Sequence, residues 1–115
     1  MAGNRWRTRL TARAESDLLE ITTWTTDKFG PAQARKYRDV IFAAMHVLDR
    51  GPAALGVRSR DDIRPWLMSL HIAREGRSGR HYLVFRVKSD SERVIEVLRI
   101  LYDQMDLAHH IPRAE

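Results

Sequence analysis

The chain has 115 residues and a mass of 13.4 kDa, contains no cysteine, and carries a formal charge of +5 with a pI near 10.2. This is the size of one domain with room for an ordinary core, and the lack of cysteine excludes a disulfide framework, a thiolate zinc site and a cysteine nucleophile. The 43% hydrophobic and 30% charged fractions describe a folded globular chain. No apolar run approaches the roughly 18 residues of a membrane span. No apolar stretch follows the arginines of the first nine residues, as a signal peptide requires. A cytoplasmic protein with no membrane partner is the expectation. The basic excess is spread: residues 1–57 hold nine Lys/Arg and six Asp/Glu, and residues 58–115 hold eleven and nine. The local concentration is Arg74, Arg77, Arg80, Arg86 and Lys88 against Glu75. Such a surface suits nucleic acid and an acidic protein partner equally.

Arg5 to Leu10 alternates arginine with Trp6, Thr8 and Leu10, which predicts a short first strand, charged on one face and near a sheet edge. Thr11 is a suitable N-cap, and Glu15 and Asp17 favour the dipole of a helix running from about Ala12 to Lys28. Ala14, Leu18, Ile21 and Thr25 have the spacing of one buried stripe, with Trp24 beside it. Gly30-Pro31 ends this helix and opens the next. The second runs from about Ala32 to Asp49, buries Tyr37, Ile41, Ala44 and Leu48, and stops at Gly51-Pro52. So short a connection predicts an antiparallel helical hairpin. The pattern then dissolves into a surface loop to Pro65. Trp66 to Ile72 alternates as a strand, and Arg74 to Gly79, with two glycines, makes a hairpin loop.

The most informative stretch is Arg80 to Tyr102. Tyr82–Val87 and Val94–Ile100 are rich in strand-favouring residues, and Lys88-Ser-Asp-Ser-Glu92 supplies the turn. Alternation places Leu83, Phe85 and Val87 opposite Tyr82, Val84 and Arg86. In the next strand it places Val94, Glu96, Leu98 and Ile100 opposite Ile95, Val97, Arg99 and Leu101. No face is wholly polar, so both strands are expected at the centre of the sheet with both faces covered. Tyr102–Glu115 is expected to form a polar tail anchored by Met105 and Leu107. The order β-α-α-β-β-β predicts an α+β domain, an N-terminal strand and helical hairpin packed on a small, mostly antiparallel sheet. It spans residues 1–115 as one unit, with 1–4 and 112–115 as flexible ends.

The histidines, His46, His71, His81 and His109-His110, lack the spacing of a zinc motif, and neither a phosphate-binding glycine loop nor a dinucleotide fingerprint is present. No metal and no cofactor is expected. Asp61-Asp62 reads as solvated loop. Arg86, Arg99 and Tyr102 remain. A guanidinium inside a strand must find an anion, a carbonyl or an open groove. Two strand arginines and a strand-end tyrosine could bind phosphate or help an RNA cleave itself through its 2′-hydroxyl. Equally, the arginines could pair with Asp103, Asp106 or Glu96 and pin the tail to the sheet.

The sequence resembles the ParE branch of the RelE/ParE toxin superfamily, from bacterial type II toxin–antitoxin modules. The resemblance runs from about Leu10 to Ile111. It is carried by Leu10 to Leu18, Phe29-Gly-Pro-Ala-Gln-Ala34, Asp62-Ile-Arg-Pro65, Tyr82-Leu-Val-Phe-Arg86 and Val97 to Asp106, in that order and spacing. It implies a toxin that poisons DNA gyrase, blocks replication and arrests growth, held inactive by a ParD-like antitoxin whose dimer alone would contact operator DNA. Under that resemblance Arg86, Arg99, Tyr102, Met105 and Asp106 are target-contact candidates. Trp24, Arg74, Arg77, Arg80 and Tyr82 are antitoxin-contact candidates. RelE-like relatives instead cut ribosome-bound mRNA, and for that alternative Arg86 and Arg99 would hold phosphate while Tyr102 moves a proton. Tyr102 stands where many ParE-like sequences have histidine, and Phe85 where many have tyrosine. The lysines Lys28, Lys36 and Lys88 form no cluster to complete a nuclease site. Gyrase inhibition without catalysis is therefore the expectation.

Overall fold

The computed structural model describes residues 5–111, so the expected flexible ends fall outside the described residues. The chain runs β1 (Arg7–Leu10), α1 (Ala12–Phe29), α2 (Pro31–Val47), a 3-10 turn (Leu48–Arg50), β2 (Arg58–Ser59), β3 (Met68–His71), β4 (His81–Ser89), β5 (Val94–Tyr102) and α3 (Leu107–His110). This is the expected α+β order with two additions. The strand β2 has two residues, too few to show a period, and pairs antiparallel with Ser69 and Met68. The helix α3 interrupts what reads as a tail; Asp106 caps it by accepting from Ala108 N–H at 3.1 Å.

Thr11 starts α1 by accepting from Ala14 N–H at 3.0 Å, while its own hydroxyl donates to Leu98 C=O at 3.0 Å. The cap thus also ties the helix to the sheet. Thr22, Thr25 and Thr26 each donate to the carbonyl four residues back, which satisfies β-branched hydroxyls inside a helix. Gly30, at φ +91°, closes α1 by donating to Thr26 C=O, and Pro31 begins α2 at once.

The sheet order is β1-β5-β4-β3-β2, with β1 parallel to β5 at one edge and every other pairing antiparallel. The first strand sits at the edge, as its arginines suggest, and β4 and β5 are central. Against α1 and α2 the sheet buries Leu70, Ile72, Leu83, Phe85, Ile95, Val97 and Ile100 around Ile41 and Ala44. On the opposite face, Leu67, Val84, Leu98 and Leu101 are covered by Leu107 and Ile111 from the C-terminal segment.

That division corrects the alternation read for β5. Phe85 pairs with Val97 but Val84 pairs with Arg99, so Leu98 is an extra residue in a bulge. Ile95 and Val97 face the helices before it, and Ile100 faces them after it. A strict period of two cannot place all three on one side.

Candidate functional site

Beyond Val97 the strand β5 keeps β4 on one side but has no strand neighbour on the other among the described residues, because the chain leaves β1 for α1 after Leu10. The exposed edge is closed by side chains of α1. Asp17, 6% exposed, accepts from Arg99 Nε at 2.8 Å, from Arg99 Nη2 at 3.0 Å and from the backbone N–H of Ile100 at 2.9 Å. Arg99 Nη1 donates to His110 C=O at 3.0 Å. The strand arginine has therefore found an anion and a carbonyl, but on partners other than Asp103, Asp106 or Glu96. At 9% exposure and with its fork spent on Asp17, Arg99 is not presented to a partner as a target contact or to a substrate phosphate.

Past this edge, the end of the sheet and the helical hairpin enclose a groove of about 690 Å³. Its wall on the hairpin carries Ile21, Trp24, Thr25, Phe29 and Tyr37, and its wall on the sheet carries Arg80, His81 and Tyr102. Trp24 and Phe29 are 57% and 65% exposed, with rings edge-to-face at 5.9 Å. Large apolar side chains left this open on a surface helix mark a site that something else covers.

The floor of the groove is a hydrogen-bonded aromatic cluster. The Tyr37 oxygen accepts from Arg80 N–H at 2.9 Å and stands 2.6 Å from His81 Nδ1. Burial pushes the His81 pKa down and the Tyr37 pKa up, so both groups stay neutral and the tyrosine donates to Nδ1. The His81 ring is edge-on to both Tyr37 and Tyr102. The Arg80 guanidinium lies 5.6 Å over the Tyr102 ring and 3.3 Å from the Asp103 carboxylate. Asp103 also accepts from His71 Nε2 at 2.9 Å, and that hydrogen bond, aided by Arg80, holds its carboxyl below the usual range.

The remaining candidates lie elsewhere. Arg86 bonds Glu96 on the neighbouring strand at 3.0 Å and lies 6.0 Å over Trp66, on the face opposite the helices. Tyr82 also faces that way, edge-on to His71 and beneath Arg60, and is no part of the groove. Arg74 and Arg77 lie in the loop joining β3 to β4, and Met105 and Asp106 follow β5. Of ten expected contact residues, the structure thus gathers Trp24, Arg80 and Tyr102 in one groove. Sequence reasoning passed over Asp17, Phe29 and Tyr37 as site residues. Asp17 had a signal, an acid at the position i+3 from buried Ala14 on the apolar stripe. Tyr37 had none, since its partner His81 is 44 residues away in sequence.

The family model described as "ParE toxin of type II toxin-antitoxin system, parDE" matches residues 8–107. No curated protein matches the chain. Among solved structures, the chain is similar to one from the chromosomal ParDE toxin–antitoxin system of P. aeruginosa. The two share 24% identity over 84% of this chain and 95% of that one, with a TM-score of 0.68. It is also similar to a chain of the RelBE2 toxin–antitoxin complex of Mycobacterium tuberculosis, at 22% identity over 85% and 98% of the two chains and a TM-score of 0.50. At these identities the two structures speak for the fold.

Proposed function

Because the chain belongs to the ParE toxin family of type II toxin–antitoxin systems, we propose that it arrests growth by binding DNA gyrase, without catalysis of its own. A ParD-like antitoxin neutralises it by seating an amphipathic segment in the groove between the hairpin and the sheet. The observation that carries this reading is the groove itself: exposed Trp24 and Phe29 on one wall and the cation Arg80 on the other, on a chain of charge +5. An apolar helix face flanked by carboxylates fits such a surface. Arg77, in the loop that leads to Arg80, extends the basic rim, whereas Arg74 turns to Gly56 and is no part of it. Tyr102 at the end of β5 and Met105 and Asp106 just after it, all exposed, are the proposed gyrase contacts. Tyr102 belongs to the groove as well, so an antitoxin seated there also covers part of the target surface.

The ribonuclease alternative needs Arg86, Arg99 and Tyr102 around one phosphate. Arg86 pairs with Glu96, six residue steps along β5 from Tyr102, roughly 20 Å at about 3.3 Å per residue. Arg86 faces away from the helices, Tyr102 toward them, and Arg99 is buried against Asp17. Nor does the Asp103–His71 pair offer a free base, since Ala73 N–H donates to His71 Nδ1 at 3.0 Å. Induced expression in a bacterial host is the direct test. Growth arrest relieved by a co-expressed antitoxin, with transcripts intact and DNA synthesis halted first, is the expected result. Transcript ends mapping within codons at the onset of arrest would replace this reading with the nuclease one.

A further inference from the structure

Across the sheet from the groove lies a second concavity of about 270 Å³, lined by Gly56, Arg58, Ser69, His71 and Tyr82. One arginine lines it, and two more contact its lining residues. Arg58 forms part of the wall. Arg60 Nε donates to Ser69 Oγ at 2.8 Å, and its guanidinium lies 5.1 Å over the Tyr82 ring. Arg74 packs its Nη1 against Gly56, in the space that any side chain there would take. Among the described residues none of the three has a carboxylate within ion-pair distance; the paired arginines are Arg5, Arg80, Arg86 and Arg99. Asp103, which reaches His71 on this wall, is already held by His71 and Arg80. In addition, Arg74 Nε is buried with no hydrogen-bond partner. A buried donor without an acceptor is uncommon in folded proteins, and beside two further unpaired cations it points to an anion.

We infer that this concavity binds a phosphate group. A tetrahedral oxyanion can meet guanidiniums from several sides and take a further bond from the Ser69 hydroxyl, whereas a planar carboxylate fills a single fork. The space is too small for a helix and large enough for one phosphate with part of what it carries. A mononucleotide and a single-stranded nucleic acid present the same phosphate chemistry.

The test is titration of the full-length, isotope-labelled protein at fixed ionic strength, followed through its backbone amide resonances. The probes are inorganic phosphate, adenosine monophosphate, a short single-stranded DNA oligonucleotide, and sodium glutamate as the carboxylate comparison. Saturable shifts centred on Gly56, Ser69 and Tyr82 are expected with the phosphate probes. Arg58→Gln and Arg74→Ala should each weaken them at least tenfold. Arg35→Ala, which removes the same charge from an exposed position on α2, should change the affinity less than twofold; the amide spectra report whether each variant is folded. An oligonucleotide that saturates tenfold below the mononucleotide would name nucleic acid as the source, and equal saturation a free nucleotide. The inference is overturned if glutamate matches phosphate, if shifts spread over the whole basic surface, or if Arg35→Ala weakens binding as much as Arg58→Gln.

Discussion

Asp17 holds three donors at once, two from the Arg99 guanidinium and one from the backbone of Ile100. Removing one partner of a buried pair leaves the other charged and desolvated, typically at about 3–5 kcal/mol. Asp17→Ala should therefore lower the free energy of unfolding by about that amount in urea denaturation. A loss under about 1 kcal/mol would show that the pair is not what closes the β5 edge. Loss of toxicity in an Arg99 variant should accordingly track loss of folding. His81 gives a second residue-level prediction, with its sign set by burial. The unfolded chain takes up the proton near pH 6.5 while the folded chain resists it, so stability is full above that pH and falls as the solution is acidified below it. Thermal melts of the wild type should drop between pH 6.5 and 5. His81→Asn should flatten that slope, whatever it does to the absolute melting temperature, and an unchanged slope would show that His81 is not the group responsible. The strand arginines were legible in the sequence as groups that needed partners. Arg86 has one of the partners the sequence offered, Glu96; that of Arg99 was not legible, because its contact with Asp17 spans 82 residues.

The helical hairpin is the element that carries the proposed antitoxin contact. Its ends and its joint could be read locally, from Thr11, Gly30-Pro31 and Gly51, since caps and breakers act within a few residues. Its outward surface could not. Spacing only puts Trp24 beside the apolar stripe of α1, and its choice as an antitoxin contact came from the family resemblance; with Phe29 it stands open on the groove wall. Exposed aromatics contribute little to folding and much to binding when a partner desolvates them. Trp24→Ala should leave unfolding within about 0.5 kcal/mol of wild type. It should weaken capture of the antitoxin by about 2 kcal/mol or more, roughly thirtyfold in the dissociation constant. Calorimetric titration of both proteins reads this directly, and an unchanged affinity would move the antitoxin off the groove. The tail shows the opposite outcome. Leu107 and Ile111, four apart after Asp106, carry a helix signal that a reading of Tyr102–Glu115 as a polar tail passes over. Those two side chains cover the far face of β4 and β5.

For the whole molecule, the order of elements was legible because each has its own period and its own breakers. The phase of β5 was not, since one bulge residue moves every later side chain to the other face. The basic balance also had two readings, and the fold separates them in space. The apolar groove with its Arg80 rim lies between hairpin and sheet, and the unpaired Arg58, Arg60 and Arg74 lie across the sheet from it. A protein partner and a phosphate-bearing ligand therefore need not compete for one surface. The most direct measurement is supercoiling of relaxed plasmid by purified gyrase in the presence of this protein, scored for inhibition and for trapped cleaved DNA. Inhibition that is reversed by the antitoxin, and weakened by Tyr102→Ala with the fold intact, is the predicted result. Full supercoiling at a large molar excess of toxin, with message cleavage in a translating extract, would contradict the account.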